Sequence, residues 1–169
     1  KTGTYTVSEN AVAGYAQTSL VCVDQANSQV VANPVVLQKD QNVVCTITND
    51  DIAPTVTIVK NVVNPFGTPL PASAFGLFVD GQIVYSGIPT TEFDAGSHVV
   101  SEEQEPGYEL SSISGDCERD GDFANLMLSL GGQATCTLTN TAIQPKLKVR
   151  KIVINDNSGT KTSSDFEIT

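Results

Sequence analysis

Basic residues are scarce in this chain: nine Lys and Arg stand against nineteen Asp and Glu, and there is a single histidine, His98. A formal charge of −10 excludes nucleic acid as a partner, because phosphate binding needs clustered Lys and Arg. The same deficit argues against docking on an anionic membrane surface. One histidine rules out most imidazole-based metal and triad sites, and at an aromatic position near a strand start it reads as packed or exposed, not catalytic. Charged residues of all kinds make up only 17% of the chain, so long solvated helices built on Glu–Lys pairs are not expected. No apolar run approaches the ~20 residues of a membrane span. No nucleophile elbow, phosphate loop or dinucleotide fingerprint is present. Neither a cofactor nor multiple-turnover catalysis is expected.

What the chain does have is a polar surface of Thr, Ser, Asn and Gln beside 40% apolar residues, a composition suited to exposed β-sheet faces. Its four cysteines, Cys22, Cys45, Cys117 and Cys136, lack the close paired spacing of a zinc site. Two long-spaced pairs fit two disulfides and an oxidising compartment, with buried free thiols as the alternative. The run Asp116 to Asp122 looks like a calcium loop, but the acid required at loop position twelve is replaced by Met127. No metal site is expected, and Asn49-Asp50-Asp51 is read as a polar linker.

The chain repeats itself. TYTVSENAVAGY, from Thr4 to Tyr15, returns as SHVVSEEQEPGY, from Ser97 to Tyr108. VVCTITND around Cys45 returns as ATCTLTNT around Cys136, and PTVTIVKNVVN returns as PKLKVRKIVIN. Cys45 to Cys136, Asn49 to Asn140 and Lys60 to Lys151 are each 91 positions apart, and Ser73 and Phe75 recur at that lag as Ser164 and Phe166. This period makes residues 54–142 one complete unit. Residues 1–53 are then the C-terminal part of a preceding unit and 143–169 the N-terminal part of a following one. Roughly 15 positions of the repeat are represented in neither fragment, as expected for a stretch of a longer array.

Within 54–142, short runs rich in Val, Ile, Thr and Phe alternate with turn residues. Strands are expected over 55–63, 74–79, 82–86, 97–102, 108–117, 123–130 and 133–140. Asp80-Gly81 is a hairpin signal, Gly131-Gly132 marks a second turn, and the proline-bearing stretch 64–72 is a loop. Seven short strands in one unit predict an all-β, Ig-like sandwich.

Alternation along these strands places three polar side chains on the core face. Lys60 shares parity with Val56, Ile58 and Val62, as Lys151 does with Leu147, Val149 and Val153. Asn140 shares it with Cys136 and Leu138, and Asn49 with Cys45 and Ile47. Glu102 follows His98 and Val100, as Glu9 follows Tyr5 and Val7. Each repeat is thus expected to point a Lys, a Glu and an Asn inward. One reading is a buried ion pair with an amide alongside. The other is chemical. Burial favours a neutral amine and a carboxylic acid, the amine is a nucleophile, and its attack on the Asn carboxamide releases ammonia and leaves an isopeptide cross-link.

At these residues the chain resembles the SpaA-like, or Cna B-type, prealbumin-like repeats of bacterial surface proteins and pilins. Glu followed by Gly-Tyr in SEEQEPGY and SENAVAGY is similar to their signature, CTITN and CTLTN to their last strand, and TVTIVK to their first. The resemblance implies Lys60 and Asn140 as cross-link partners promoted by Glu102. Glu9 and Asn49 are the matching residues of the preceding repeat and Lys151 that of the following one. The cysteines depart from that pattern, since many cross-linked members lack them: each unit has a pair just before and within its last strand, and disulfides Cys22–Cys45 and Cys117–Cys136 are the alternative staple to the isopeptide bond. The expected role is structural: a segment of an extracellular stalk, fibre or filament on a bacterial surface. Its partners would be neighbouring repeats or copies of itself. The alternative is an adhesin module whose loops, such as 64–72 or 87–96, bind a glycan or a host protein.

Overall fold

The structure is a computed structural model that describes residues 1–168. Thirteen strands follow one another: β1 (Gly3–Tyr5), β2 (Tyr15–Asp24), β3 (Gln29–Val31), β4 (Val35–Leu37), β5 (Val43–Asp51), β6 (Thr55–Val63), β7 (Leu77–Val79), β8 (Gln82–Val84), β9 (Gly96–Glu102), β10 (Tyr108–Gly115), β11 (Cys117–Asp120), β12 (Phe123–Leu128) and β13 (Gln133–Ala142). The only helical pieces among the described residues are 3-10 turns at Ala72–Ala74 and Ser163–Asp165. The protein is all-β.

From β6 to β13 the chain builds a sandwich. One sheet has the order β10-β13-β6 and the other β11-β12-β9-β7-β8. Alternation does the sorting: β6 buries Val56, Ile58 and Lys60 and turns Thr55, Thr57 and Asn61 away. Val56, Ile58, Cys136 and Leu138 face Leu77, Val79, Val100, Leu126 and Leu128 across the core, each large side chain contributing about 1.5–3 kcal/mol by leaving water. The first and last strands, β6 and β13, lie side by side in parallel, from Thr55 opposite Gln133 to Val63 opposite Thr141. The chain therefore enters this sandwich at one pole and leaves at the other. Along the other edge of β6, Gly87 N donates to Ile58 O (2.8 Å), and Val56 and Thr90 exchange both backbone bonds.

Several boundaries differ from those expected. The segment before β7 opens with a 3-10 turn instead of extended chain. The run expected as one strand over 108–117 is broken at Gly115. This residue has φ +93°, and a Cβ there would run into the Thr135 carbonyl. The break sends Cys117 into the other sheet, on an additional strand, β11, which the sequence pattern does not reveal. Asp80 and Gly81, with φ of 49° and 77°, form the expected tight turn between β7 and β8. The Asp116–Asp122 run makes β11 and its turn into β12.

Residues 1–53 reproduce half of this arrangement. β2 pairs with β5 from Tyr15 opposite Asp51 to Asp24 opposite Val43, as β10 pairs with β13 from Tyr108 opposite Ala142. Both ladders skip one residue at the matching place, Thr18 and Ser111. Each bulged hydroxyl donates to a backbone carbonyl, of Thr48 (3.2 Å) and Thr139 (2.9 Å) respectively. Extended pairing near Glu9 is shorter than its copy predicts, because only Gly3–Tyr5 finds a partner, β4. The segment 143–155, a copy of β6 in sequence, forms no strand. No neighbouring strand among the described residues takes up its backbone groups, and a single extended segment has no ladder to hold it.

The two regions meet at a short connection held by three backbone hydrogen bonds. Ile52 N donates to Gly14 O (2.8 Å), Gly131 N donates to Ile52 O (2.7 Å), and Thr55 N donates to Gly132 O (2.8 Å). Pro54 between them is buried. Gly14, at φ +82°, lies so close to Leu130 that a Cβ would approach the leucine Cβ to 2.6 Å.

Candidate cross-linking site

Three strands bring three polar side chains together inside the sandwich. Lys60 comes from β6, Asn140 from β13 beside it, and Glu102 from the end of β9 in the opposite sheet. Lys60 and Asn140 are 6% and 1% exposed. Lys60 Nζ donates to Glu102 Oε2 and to Asn140 Oδ1, the latter at 2.5 Å. Asn140 Nδ2 donates to Glu102 Oε1 at 2.6 Å. The three groups form a closed ring of hydrogen bonds in which the carboxylate uses both oxygens. No buried side-chain nitrogen or oxygen among the described residues lacks a partner.

Burial pulls the Lys60 pKa below its ordinary value, with the hydrogen bond and charge of Glu102 acting in the opposite sense. Burial prevails because an ammonium loses its water shell there while gaining a single anionic partner. Behind Nζ stands the ring of Phe75, 4.5 Å from the nitrogen to the centroid, and the Lys60 backbone N–H donates to Ser86 Oγ (2.8 Å). A cleft of about 400 Å³, lined in part by Glu102, Tyr108, Leu110, Phe123 and Asn140, opens onto the carboxylate and the amide.

The other expected residues assemble only in part. Asn49 Nδ2 donates to Glu9 Oε2 at 2.9 Å, the same bond that links Asn140 and Glu102, but both residues are exposed. The expectation that every repeat buries all three groups is thus met only within β6–β13. The other sheet of residues 1–53, formed by β1 and β4, has only two strands, and it leaves this pair exposed. Lys151 is also exposed and bonds to neither Glu9 nor Asn49. It stands over the ring of Phe166 at 4.5 Å.

Both cysteine pairs are disulfides, and they differ in kind. Cys22 and Cys45 are register partners on neighbouring strands of one sheet, with Cα atoms 3.9 Å apart. Cys117 and Cys136 belong to opposite sheets, 5.4 Å apart. The reason is Gly115: it faces Cys136 as Cys22 faces Cys45, so the bridging cysteine lies two residues further on, after the chain has changed sheets. His98, at the place of Tyr5, is buried, with Nδ1 2.7 Å from Asp80 Oδ2 and Nε2 2.9 Å from the Asp94 carbonyl. Both neighbours are acceptors, so both ring nitrogens donate and the imidazolium is the form that fits.

The profile of SpaA prealbumin-like fold domains matches residues 1–47 and 51–138. The chain belongs to this family. No curated protein and no solved structure matches it. The SpaA match covers the β1–β5 region as well as the sandwich, in line with the shared ladder, bulge and Glu–Asn bond of the two. Phe75, Ser86 and Tyr108 around the site were not picked out as functional from sequence. The signal for Phe75 was its recurrence as Phe166, which carried no role until the two lysines were seen against the two rings.

Proposed function

We propose that this SpaA-family chain is a load-bearing segment of an extracellular stalk, fibre or filament on a bacterial surface, and that Lys60 and Asn140 join in an isopeptide bond promoted by Glu102. The observation that carries this reading is the closed Lys60–Glu102–Asn140 ring, held between the two sheets beside a core of apolar side chains.

The groups stand in the order the reaction needs. Lys60 Nζ passes a proton to Glu102 Oε2 and becomes a neutral amine. It attacks Asn140 Cγ, whose carbonyl is polarised by its own hydrogen bond and by the acid beside it. The new N–C bond forms as the C–Nδ2 bond breaks. The carboxyl, already bonded to Nδ2 through Oε1, gives its proton to the departing nitrogen and takes up the second amine proton, so that ammonia leaves through the cleft over Glu102 and Glu102 is left as the neutral acid. No oxidant or cofactor is needed.

A bond between parallel first and last strands fits a tether. Tension applied at the two poles runs along β6 and β13, and a Lys60–Asn140 bond carries it without loading the other strands. The Cys117–Cys136 bridge ties the opposite sheet to β13. Intact mass of the reduced protein tests the proposal. A deficit of one ammonia, traced to a joined Lys60–Asn140 peptide and abolished by Glu102→Ala, is expected; an undiminished mass in the folded protein sinks it.

A further inference from the structure

Phe75 is the recurrent residue that the cross-linking step leaves without a part, and its position gives it one. Lys60 Nζ has three N–H directions. Two point at Glu102 and Asn140, and on the remaining side lies the Phe75 ring. The lysine side chain is 0% exposed and Phe75 4%. The ring is fixed in turn: the 3-10 turn Ala72–Ala74 delivers it, with Phe75 N donating to Ala72 O (3.2 Å). Tyr108 meets it edge-on at 5.5 Å while its hydroxyl accepts from Leu70 N (3.2 Å).

The same pair recurs where there is no core to impose it. Ser163–Asp165 is again a 3-10 turn, Phe166 again follows it, and Lys151 Nζ lies 4.5 Å from that ring although Lys151 is exposed and bonds to no Glu or Asn among the described residues. A contact kept under both burial and exposure is a property of the local segment, not a by-product of packing.

We propose that Phe75 is a positioning residue for the cross-link: its ring covers the one side of the Lys60 amine that Glu102 and Asn140 leave open, and keeps water from it. This rests on the isopeptide reading. A π face attracts the ammonium but offers no lone pair to a neutral amine. Once the proton has moved to Glu102 the hold lapses, and the amine is free to turn toward Asn140 Cγ. A water in the same place would remain bonded to the amine and restore its solvation. The titratable groups around the amine are Glu102 on β9, Tyr108 behind the ring, and Glu103, which flanks Gly76 next to Phe75; β13 contributes only Asn140.

The test follows bond formation over time, by mass, as the full chain, chemically synthesised and kept in denaturant so that it has not yet reacted, is folded across a range of pH. In Phe75→Ala, water gains access to Nζ. The pH profile moves to higher pH, and the rate near neutrality falls about tenfold for each unit by which the lysine pKa returns upward. Phe75→Leu, which keeps more of the core filled, gives a smaller shift in the same direction and serves if the alanine variant does not fold. Phe75→Tyr retains the wild-type profile. A uniform slowing at every pH, or no change, overturns the proposal while the wild type still reacts. A wild type that never loses ammonia overturns the isopeptide reading and this one with it.

Discussion

The pairs Glu102–Asn140 and Glu9–Asn49 make the same hydrogen bond in two settings. In β6–β13 the bond is closed over by a second sheet and completed by Lys60. In residues 1–53 it lies open beside a cleft lined in part by Val12, Tyr15 and Gln17. The pairing is therefore written into the β2–β5 and β10–β13 ladders. The proposed reactivity is not: it would need the first strand, which supplies the amine, and the opposing sheet, which removes water. A Glu–Asn pair by itself is a hydrogen bond, and a third group in a dry core makes it a site.

The largest contrast is expected from removing the third group. Lys60→Ala removes the amine the proposed cross-link requires and leaves Glu102 facing the core without a cation, a loss of about 3–5 kcal/mol readable in denaturant unfolding of the reduced protein. Asn49→Ala, at the exposed counterpart, leaves the midpoint of the β6–β13 region where it was. An equal drop in both would end the distinction.

Next in size are the disulfides. Replacing Cys117 and Cys136 together by serine releases a loop of about 20 residues and the tie between sheets, costing about 3 kcal/mol. The Cys22 and Cys45 double variant loosens only β2 against β5, so proteolysis should begin in residues 1–53 while β6–β13 remains protected. Gly115→Val tests why the two bridges differ. Its side chain meets the Thr135 carbonyl at a positive φ, and a destabilisation of about 1–3 kcal/mol is expected. Val21→Ala, one residue before the counterpart position Cys22 and half exposed, should be nearly silent in thermal melts.

The smallest effect distinguishes His98 from Tyr5. Burial pulls the His98 pKa down, but the bonds to Asp80 and to the Asp94 carbonyl outweigh it and leave it above its ordinary 6.5. Asp80 is held below its ordinary 3.8, first by the Val99 N–H and then by His98. A raised histidine pKa stabilises the fold below 6.5 and stops doing so as pH rises through the folded value. A lowered aspartate pKa stabilises it above 3.8 and stops doing so as pH falls. The clamp is thus strongest between those two values, and melting temperature should decline from mildly acidic to mildly alkaline pH. His98→Tyr, which installs the counterpart residue, should flatten that decline; a variant with the wild-type slope would show that His98 is not its source.

The repeat and the inward faces of β6, β9 and β13 were legible in sequence because strand alternation is strictly local and the copies agree. That is why Lys60, Glu102 and Asn140 could be placed on one core from parity alone. β11 was not legible: Cys117 sits in a polar run, and what ends β10 is the positive φ of Gly115, where the chain passes too close to the Thr135 carbonyl, twenty residues downstream, for any Cβ. The exposure of Glu9, Asn49 and Lys151 was hidden for a related reason. Parity gives the side of a strand, and burial depends on what packs over that side. The Lys–Phe pairing left a trace in the lag between copies, but a contact between a strand residue and one beyond the following loop has no periodicity to announce it.

The connection at Ile52 has a consequence for the shape of an array. Rotation about a linker requires backbone groups that can exchange partners with water, and here the amide and the carbonyl of the same residue are each committed to a different side, Gly14 behind and Gly131 ahead. Ile143 N already donates to Gly107 O (2.8 Å), the matching half of the same joint. Repeated along a chain, such joints set a fixed angle between successive sandwiches, so the assembly is expected to resist torsion like a threaded rod, with its surface features recurring at a constant pitch.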